Sequence, residues 1–321
     1  MSPPARPPLE IASALAAPGK VTPVEIPVAR LPTGAWSSLP VAVVHGSRPG
    51  PTVWVSGAVH GDELNGVAVV REMLRRLNAK KLRGTVLAVP IVNVFGILQE
   101  SRYLPDRRDL NRSFPGSRRG SLAGRLAHLF MEEIVERCTV GIDVHTGSGG
   151  RTNLPQVRCE LTDDEARRLA LAFGAPVVLH AERRSGSLRD TAAKRGRVAL
   201  LYEAGEALRF DRRAIEIGAT GVINVLEALD MVDAAPARVA SPSPLVCARS
   251  HWLRAGQTGF CQLRVDLGQR VERGQTVAVI FDALGRVERK VKARENGMIL
   301  GMLTNPLVHR GDAVANIGVE L

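Results

Sequence analysis

The sequence predicts an α/β protein with a mostly parallel or mixed central sheet flanked by helices, followed by a small all-β domain of barrel or sandwich form. Three observations carry this expectation. Between residues 39 and 229 short apolar runs alternate with segments of helical period, the pattern of a layered fold with helices on the sheet. Residues 233–244 are rich in Ala, Pro and Ser and read as a linker. Beyond them the chain repeats itself. Val271-Glu272-Arg273-Gly274-Gln275-Thr276-Val277-Ala278-Val279-Ile280 matches Val308-His309-Arg310-Gly311-Asp312-Ala313-Val314-Ala315-Asn316-Ile317 as V-x-R-G-x-x-V-A-x-I, which implies two similar β halves. The expected units are a flexible arm (1–20), an α/β domain (21–232), the linker (233–244) and the β-rich domain (245–321).

Taken in order, residues 21–30 and 39–45 read as short strands, with a turn over Gly46–Pro51. An apolar strand over Thr52–Val55 runs into Ser56-Gly57-Ala58-Val59-His60-Gly61-Asp62-Glu63. A helix is expected from about Asp62 to Asn78, since Leu64, Val67, Val70, Leu74 and Leu77 recur at helical spacing. Residues 85–92 form a continuous apolar run, as in a strand covered on both faces. The polar stretch that follows, through Gly116, is too long to be an idle connection in a compact domain. A helix is expected from Ser121, then the strand Val140–His145, and Thr162 with Glu165 forms a capping box for another helix. Residues 176–179 are strand-like, 187–195 a short helix and 198–203 a buried strand, and Asp211 caps a last helix to about Leu229.

Composition narrows the function. The chain of 321 residues is 45% hydrophobic, enough for a large core and for two domains. Its net charge of +11 invites a nucleic-acid reading, but only six of the 43 basic residues are Lys, the Arg are scattered, and aromatics at 4% are too few for base stacking. The charge is read as attraction for anionic substrates. The four cysteines are far apart with no Cys-x-x-Cys pair, so neither a thiolate zinc site nor a disulfide scaffold is expected. With no secretory signal and no apolar run of membrane-spanning length, a cytoplasmic protein with no nucleic-acid or membrane partner is expected.

His60 and Glu63 lie three apart at a strand-to-helix corner, where an imidazole and a carboxylate can meet on one cation such as zinc. The bland alternative is a corner histidine beside a glutamate favoured by the helix dipole. His145 ends a second buried strand, and ligands in open α/β sheets gather beyond the carboxyl ends of strands. Two histidines and a glutamate with a fourth position open to water is the pattern of a catalytic zinc site. Asp143, on the same side of its strand as His145, can orient a ligand histidine.

His60-Gly61-Asp62-Glu63, Asp109-Leu110-Asn111-Arg112-Ser113-Phe114-Pro115-Gly116 and Asp143-Val144-His145-Thr146-Gly147 together resemble the succinylglutamate desuccinylase/aspartoacylase family, a branch of the zinc carboxypeptidase superfamily. The resemblance covers roughly residues 40–230. It implies one zinc ion per subunit on His60, Glu63 and His145, and a substrate carboxylate gripped by Asn111 and Arg112. Arg102 is implied to polarise the scissile carbonyl and neutralise the oxyanion, and Glu203 to be the general base, with Glu206 the competing carboxylate. Outside the motif, Arg102 and Arg112 would be read as solvated arginines and Glu203 as a strand-end glutamate paired with an Arg. The implied activity is metal-assisted deacylation of a small N-acyl compound bearing a carboxylate, an N-acetyl-diamino acid being one candidate. A carboxypeptidase acting on short peptides and a non-catalytic binding protein are the alternatives. The C-terminal segment resembles the barrel-sandwich architecture of biotinyl and lipoyl domains but has no lysine at Phe281-Asp282-Ala283-Leu284-Gly285-Arg286, so it is expected to be structural, as an active-site rim or a contact in a homo-oligomer.

Overall fold

The computed structural model describes residues 6–233 and 243–321, so residues 234–242 of the expected linker lie outside the described residues. In chain order the elements are β1 (Leu9–Ile11), β2 (Ala14–Ala16), β3 (Lys20–Arg30), β4 (Trp36–His45), β5 (Arg48–Gly57), α1 (Asn65–Arg76) and β6 (Arg83–Val89). After a long loop come α2 (Leu122–Glu133), β7 (Val140–Gly147), β8 (Arg151–Cys159), α3 (Asp164–Phe173), β9 (Val177–His180), α4 (Leu188–Lys194), β10 (Val198–Glu206) and α5 (Arg212–Ala228). The C-terminal part is all strand: β11 (Leu245–Arg254), β12 (Gly259–Leu263), β13 (Arg270–Val271), β14 (Thr276–Phe281), β15 (Glu288–Lys292), β16 (Gly297–Leu303), β17 (Leu307–Val308) and β18 (Ala313–Glu320).

Twelve strands form one sheet in the order β13-β16-β18-β11-β9-β8-β10-β7-β5-β6-β4-β3. Its centre, β6-β5-β7-β10, is parallel, while β8 runs antiparallel to β10 and β4 to β6, so the sheet is mixed. Both faces are covered. Val69, Val70 and Met73 of α1, Leu169 and Phe173 of α3, and Val222 and Val225 of α5 pack on one face against Val55, Ile142 and Tyr202. On the other, Leu126 and Phe130 of α2 and Leu188 of α4 pack with Trp54 and Leu87.

The C-terminal strands divide between this sheet and a second one, β15-β14-β12-β17, with an apolar core of their own. The internal repeat marks equivalent core positions: Val271 and Val308, Val277 and Val314, and Ile280 and Ile317 are all buried there. These strands continue the central sheet, with β11 alongside β9 and β16 alongside the start of β8.

Several expectations are corrected. Within the stretch read as an arm, β1 and β2 form an antiparallel hairpin whose Ile11 and Ala16 are buried beside Leu39 and Phe130. The Pro- and Ala-rich composition hides it. Helix α1 begins at Asn65, because His60–Leu64 form a turn closed by Glu63 N–H donating to the His60 carbonyl at 3.2 Å. Strand β5 already starts at Arg48, which shortens the turn before it. Asp163, and not Thr162, caps α3, its Oδ1 accepting from Ala166 N–H at 3.0 Å.

Candidate active site

Three neighbouring parallel strands deliver His60, Glu63, His145, Asp143 and Glu203 to one edge of the sheet, and the loop after β6 brings Arg102, Asn111 and Arg112. Strand β5 ends at Gly57 and the chain turns through Ala58 in a left-handed conformation (φ 48°), held as Val92 and Asn93 donate to the Gly57 and Ala58 carbonyls. His60 and Glu63 follow in the turn before α1. Beside β5, β7 carries Asp143 and His145, and Ser56 is the ladder partner of Asp143. On the far side of β7, Glu203 of β10 is the ladder partner of His145. The site thus lies beyond the carboxyl ends of parallel strands, where α/β sheets collect ligands.

His60, Glu63 and His145 are buried, and one donor atom from each can be chosen so that all lie within 4.8 Å of one another. His60 Nδ1 lies 2.8 Å from Glu63 Oε1, and His145 Nδ1 lies 2.8 Å from Glu63 Oε2. The outer nitrogens point away to further carboxylates: His60 Nε2 donates to Asp109 Oδ1 at 3.1 Å, and His145 Nε2 to Asp143 Oδ2 at 2.7 Å. Ser56 Oγ donates to the other Asp143 oxygen at 2.7 Å. Holding each ring by its outer N–H fixes tautomer and orientation and turns both Nδ1 atoms toward Glu63. The donor set, two imidazoles and one carboxylate, fits a borderline-soft divalent metal.

The charges are strongly coupled. Burial pushes the Glu63 carboxyl up, but the two imidazoles outweigh it and hold the group well below the usual carboxylate range. Burial pushes both imidazoles down; Glu63 with Asp109 raises His60 instead, and Asp143 with Glu63 raises His145 well above its ordinary value. Burial also works against the Asp109 carboxylate, yet His60 and Arg102 hold it far below its usual value.

Arg102 borders this cluster. Its Nη2 and Nε bond Asp109 Oδ2 at 2.9 and 3.2 Å, and Nη1 lies 3.4 Å from Glu63 Oε1 and 3.4 Å from Ser148 Oγ. Asn111 follows Asp109 in a short 3-10 turn and accepts from Leu188 N–H at the start of α4, at 2.9 Å. Arg112 is exposed and bonds the Asn111 carbonyl, outside the hydrogen-bonded cluster. Glu203 Oε2 accepts from Asn153 Nδ2 at 2.6 Å, and Oε1 lies 3.6 Å from Arg158 Nη1. Glu206 accepts instead from Thr304 Oγ1 at 2.8 Å. The two glutamates part because the ladder slips after Glu203, where Gly205 takes φ 73° with its Cα against Asn65, 2.6 Å from any added Cβ.

Sequence reasoning missed Asp109, Asn153 and Arg158. Asp109 was visible as the first residue of the Asp109–Gly116 motif but carried no role. Replacing Asp109 with Asn should weaken metal binding or turnover by about 10–100-fold, because one neutral amide oxygen replaces the two carboxylate oxygens that hold His60 and Arg102. A chelator-competition titration reads the first effect and steady-state kinetics the second.

A buried His-Glu-His cluster with carboxylates behind both rings, on the strand ends of an α/β sheet, defines a candidate mononuclear metallohydrolase centre. The chain belongs to the succinylglutamate desuccinylase/aspartoacylase family: residues 49–229 match the model of its catalytic domain. It is 31% identical over 299 residues, 88% of this chain and 86% of the relative, to the N-alpha-acetyl-L-2,4-diaminobutyric acid deacetylase of Halomonas elongata. Among solved structures it resembles a succinylglutamate desuccinylase/aspartoacylase from Rhodobacter sphaeroides, with TM-score 0.85, 26% identity, and coverage of 94% of this chain and 95% of the other. The product-bound ectoine utilization protein EutE (DoeB) from Ruegeria pomeroyi shares the fold at TM-score 0.83 and 23% identity, over 94% and 99% of the two chains. Members of the family are hydrolases acting on N-acyl amide bonds, so the motif-based resemblance and the expectation of an amide-cleaving enzyme both hold.

Proposed function

We propose that this protein is a zinc-dependent deacylase of N-acyl amino acids, with an N-acetylated diamino acid as the preferred substrate. The observation that carries the reading is the convergence of His60 Nδ1, Glu63 and His145 Nδ1 while both outer ring nitrogens are bound to carboxylates. The choice of acyl compound rests on the similarity to the Halomonas elongata deacetylase across most of both chains.

His60, Glu63 and His145 would hold the ion. Bound there, zinc would supply a Lewis acid for the scissile carbonyl and lower the pKa of water. Glu203 accepts the proton of the attacking water and returns it to the departing amine nitrogen. Arg102, already turned toward the cluster, meets the carbonyl oxygen as it gains negative charge. Asn111 and Arg112 hold the substrate carboxylate, for which a planar guanidinium offers two parallel N–H donors. Arg112 must swing from the Asn111 carbonyl to do so. The four cysteines are free and buried, in keeping with a reducing cytoplasm; among the described residues no helix is long and apolar enough to cross a membrane.

A panel of N-acyl amino acids and short peptides tests the reading, with acetate and free amine both quantified. N-α-acetyl-2,4-diaminobutyrate should be cleaved fastest, with activity lost on chelation and restored by zinc. Release of C-terminal amino acids from peptides, with the acetylated compounds untouched, would show a carboxypeptidase instead.

A further inference from the structure

We infer that the C-terminal strands position the base: Gly301 on β16 leaves a slot in which the Asn153 side chain holds Glu203. The inference rests on the reading of Glu203 as general base. It gives the all-β part a share in the chemistry without supplying a group that touches substrate.

Asn153 is buried, and its Nδ2 donates to Glu203 Oε2 at 2.6 Å. The last torsion of a glutamate is soft and roughly two-fold, so an unheld carboxylate rotates freely. A donor on Oε2 restrains that rotation, and Oε1, whose contact is the looser 3.6 Å ion pair with Arg158 Nη1, is the oxygen left to take a proton. Asn153 is placed in turn by an exchange of partners along β8. Residues Gln156–Cys159 pair with β9, but Arg151–Asn153 pair with β16, with Asn153 opposite Gly301. Pro155 falls at the change of neighbour, where a missing N–H breaks no ladder bond on that side.

Gly301 is confined by what lies above it. A Cβ there would sit 2.8 Å from Asn153 Oδ1, with the Thr152 carbonyl oxygen and Trp252 Cη2 both at 3.4 Å. Backbone and an indole ring close two sides, so the asparagine amide is the group that must give way. The β16–β18 ladder also shifts between Ile299 and Gly301, which brings this glycine against β8. Two further bonds tie the same strands together: Gln156 Nε2 donates to the Leu300 carbonyl at 3.2 Å, and Thr304 N–H to the Gly150 carbonyl at 2.7 Å.

The test is a double-mutant cycle of Asn153→Ala and Gly301→Ala in the full zinc-loaded chain, run beside Glu203→Gln. Each single substitution should lower kcat by about ten- to a hundredfold, with KM and zinc content held at wild-type levels. The double variant should be no slower than Asn153→Ala alone, because Gly301 acts only through that side chain. Wild-type kcat in Asn153→Ala while Glu203→Gln is inactive, or losses that multiply in the double variant, would overturn the inference and leave the base intact. Wild-type kcat in Glu203→Gln would overturn the base itself. Should Gly301→Ala not fold, as a thermal melt would show, Asn153→Ala decides alone, since it removes atoms and adds none.

Discussion

Replacing Glu203 with Gln is expected to lower kcat by about 10²–10⁴-fold with zinc stoichiometry unchanged. The substitution keeps the size of the side chain and an oxygen able to accept from Asn153 Nδ2, so the local hydrogen bond survives. What it removes is the capacity to take and return a proton. Glu203 is not among the donor atoms of the His60, Glu63 and His145 cluster, so metal binding is spared. The matched control is Glu206→Gln. Glu206 is turned to Thr304 and Arg209, and its side chain is 26% exposed against 14% for Glu203. Steady-state kinetics on the two variants should show one collapse and one near-normal enzyme. The opposite result would exchange the roles of the two glutamates.

His145→Ala is expected to abolish both zinc retention and turnover. It removes one of the three donors and leaves Asp143 and Glu63 facing each other across a buried space with no cation between them. Glu63 keeps His60 and Thr146 N–H, but Asp143 is left buried with Ser56 Oγ and no cation, which is costly, so the variant should also melt earlier. The same geometry predicts a pH dependence of metal binding in the native chain. Ligand imidazoles must lose a proton to coordinate, and His60 and His145 hold theirs more tightly than free imidazole does. Zinc affinity should therefore rise with pH across the range in which these rings titrate, as read by competition with a chromophoric chelator. The metal-free chain should behave in the reverse sense. Raised histidine values contribute stability that is complete below the ordinary imidazole range, near 6.5, and is lost as pH climbs through the folded-state values. The depressed Glu63 value contributes stability above the ordinary carboxylate range, lost as pH falls through its folded-state value. Melts of metal-free protein should thus be most favourable between those limits.

The heart of the site was legible because strand ends are legible. A continuous apolar run that stops at a histidine places that residue at the edge of a parallel sheet, which is how His145 stands out, with Asp143 two residues before it; the role of Glu203 is legible only through the family resemblance. Adjacency of β5, β7 and β10 then does the rest. Asp109 was hidden by a second role. Its Oδ1 also accepts from Asn111 N–H at 2.8 Å, so in sequence it looks like an ordinary cap of a short turn. Asn153 was hidden by its strand. β8 begins Arg-Thr-Asn, contains Pro155 and is half polar, which argues against a central strand, and its partner β16 is far along the chain. The start of α1 was misplaced for a related reason: Leu64 continues the helical spacing, yet the backbone around it is spent on the turn that aims His60 and Glu63. Periodicity reports which face is apolar, and it is silent on where a functional turn interrupts the helix.

Whether His60, Glu63 and His145 close on one ion is decided by crystals grown with zinc, with diffraction recorded just above and just below the zinc absorption edge. One anomalous peak per chain is expected, bounded by His60 Nδ1, a Glu63 carboxylate oxygen and His145 Nδ1, with Asp109 and Asp143 still on the outer ring nitrogens. A peak held by other residues, or no peak within reach of both imidazoles, would contradict it.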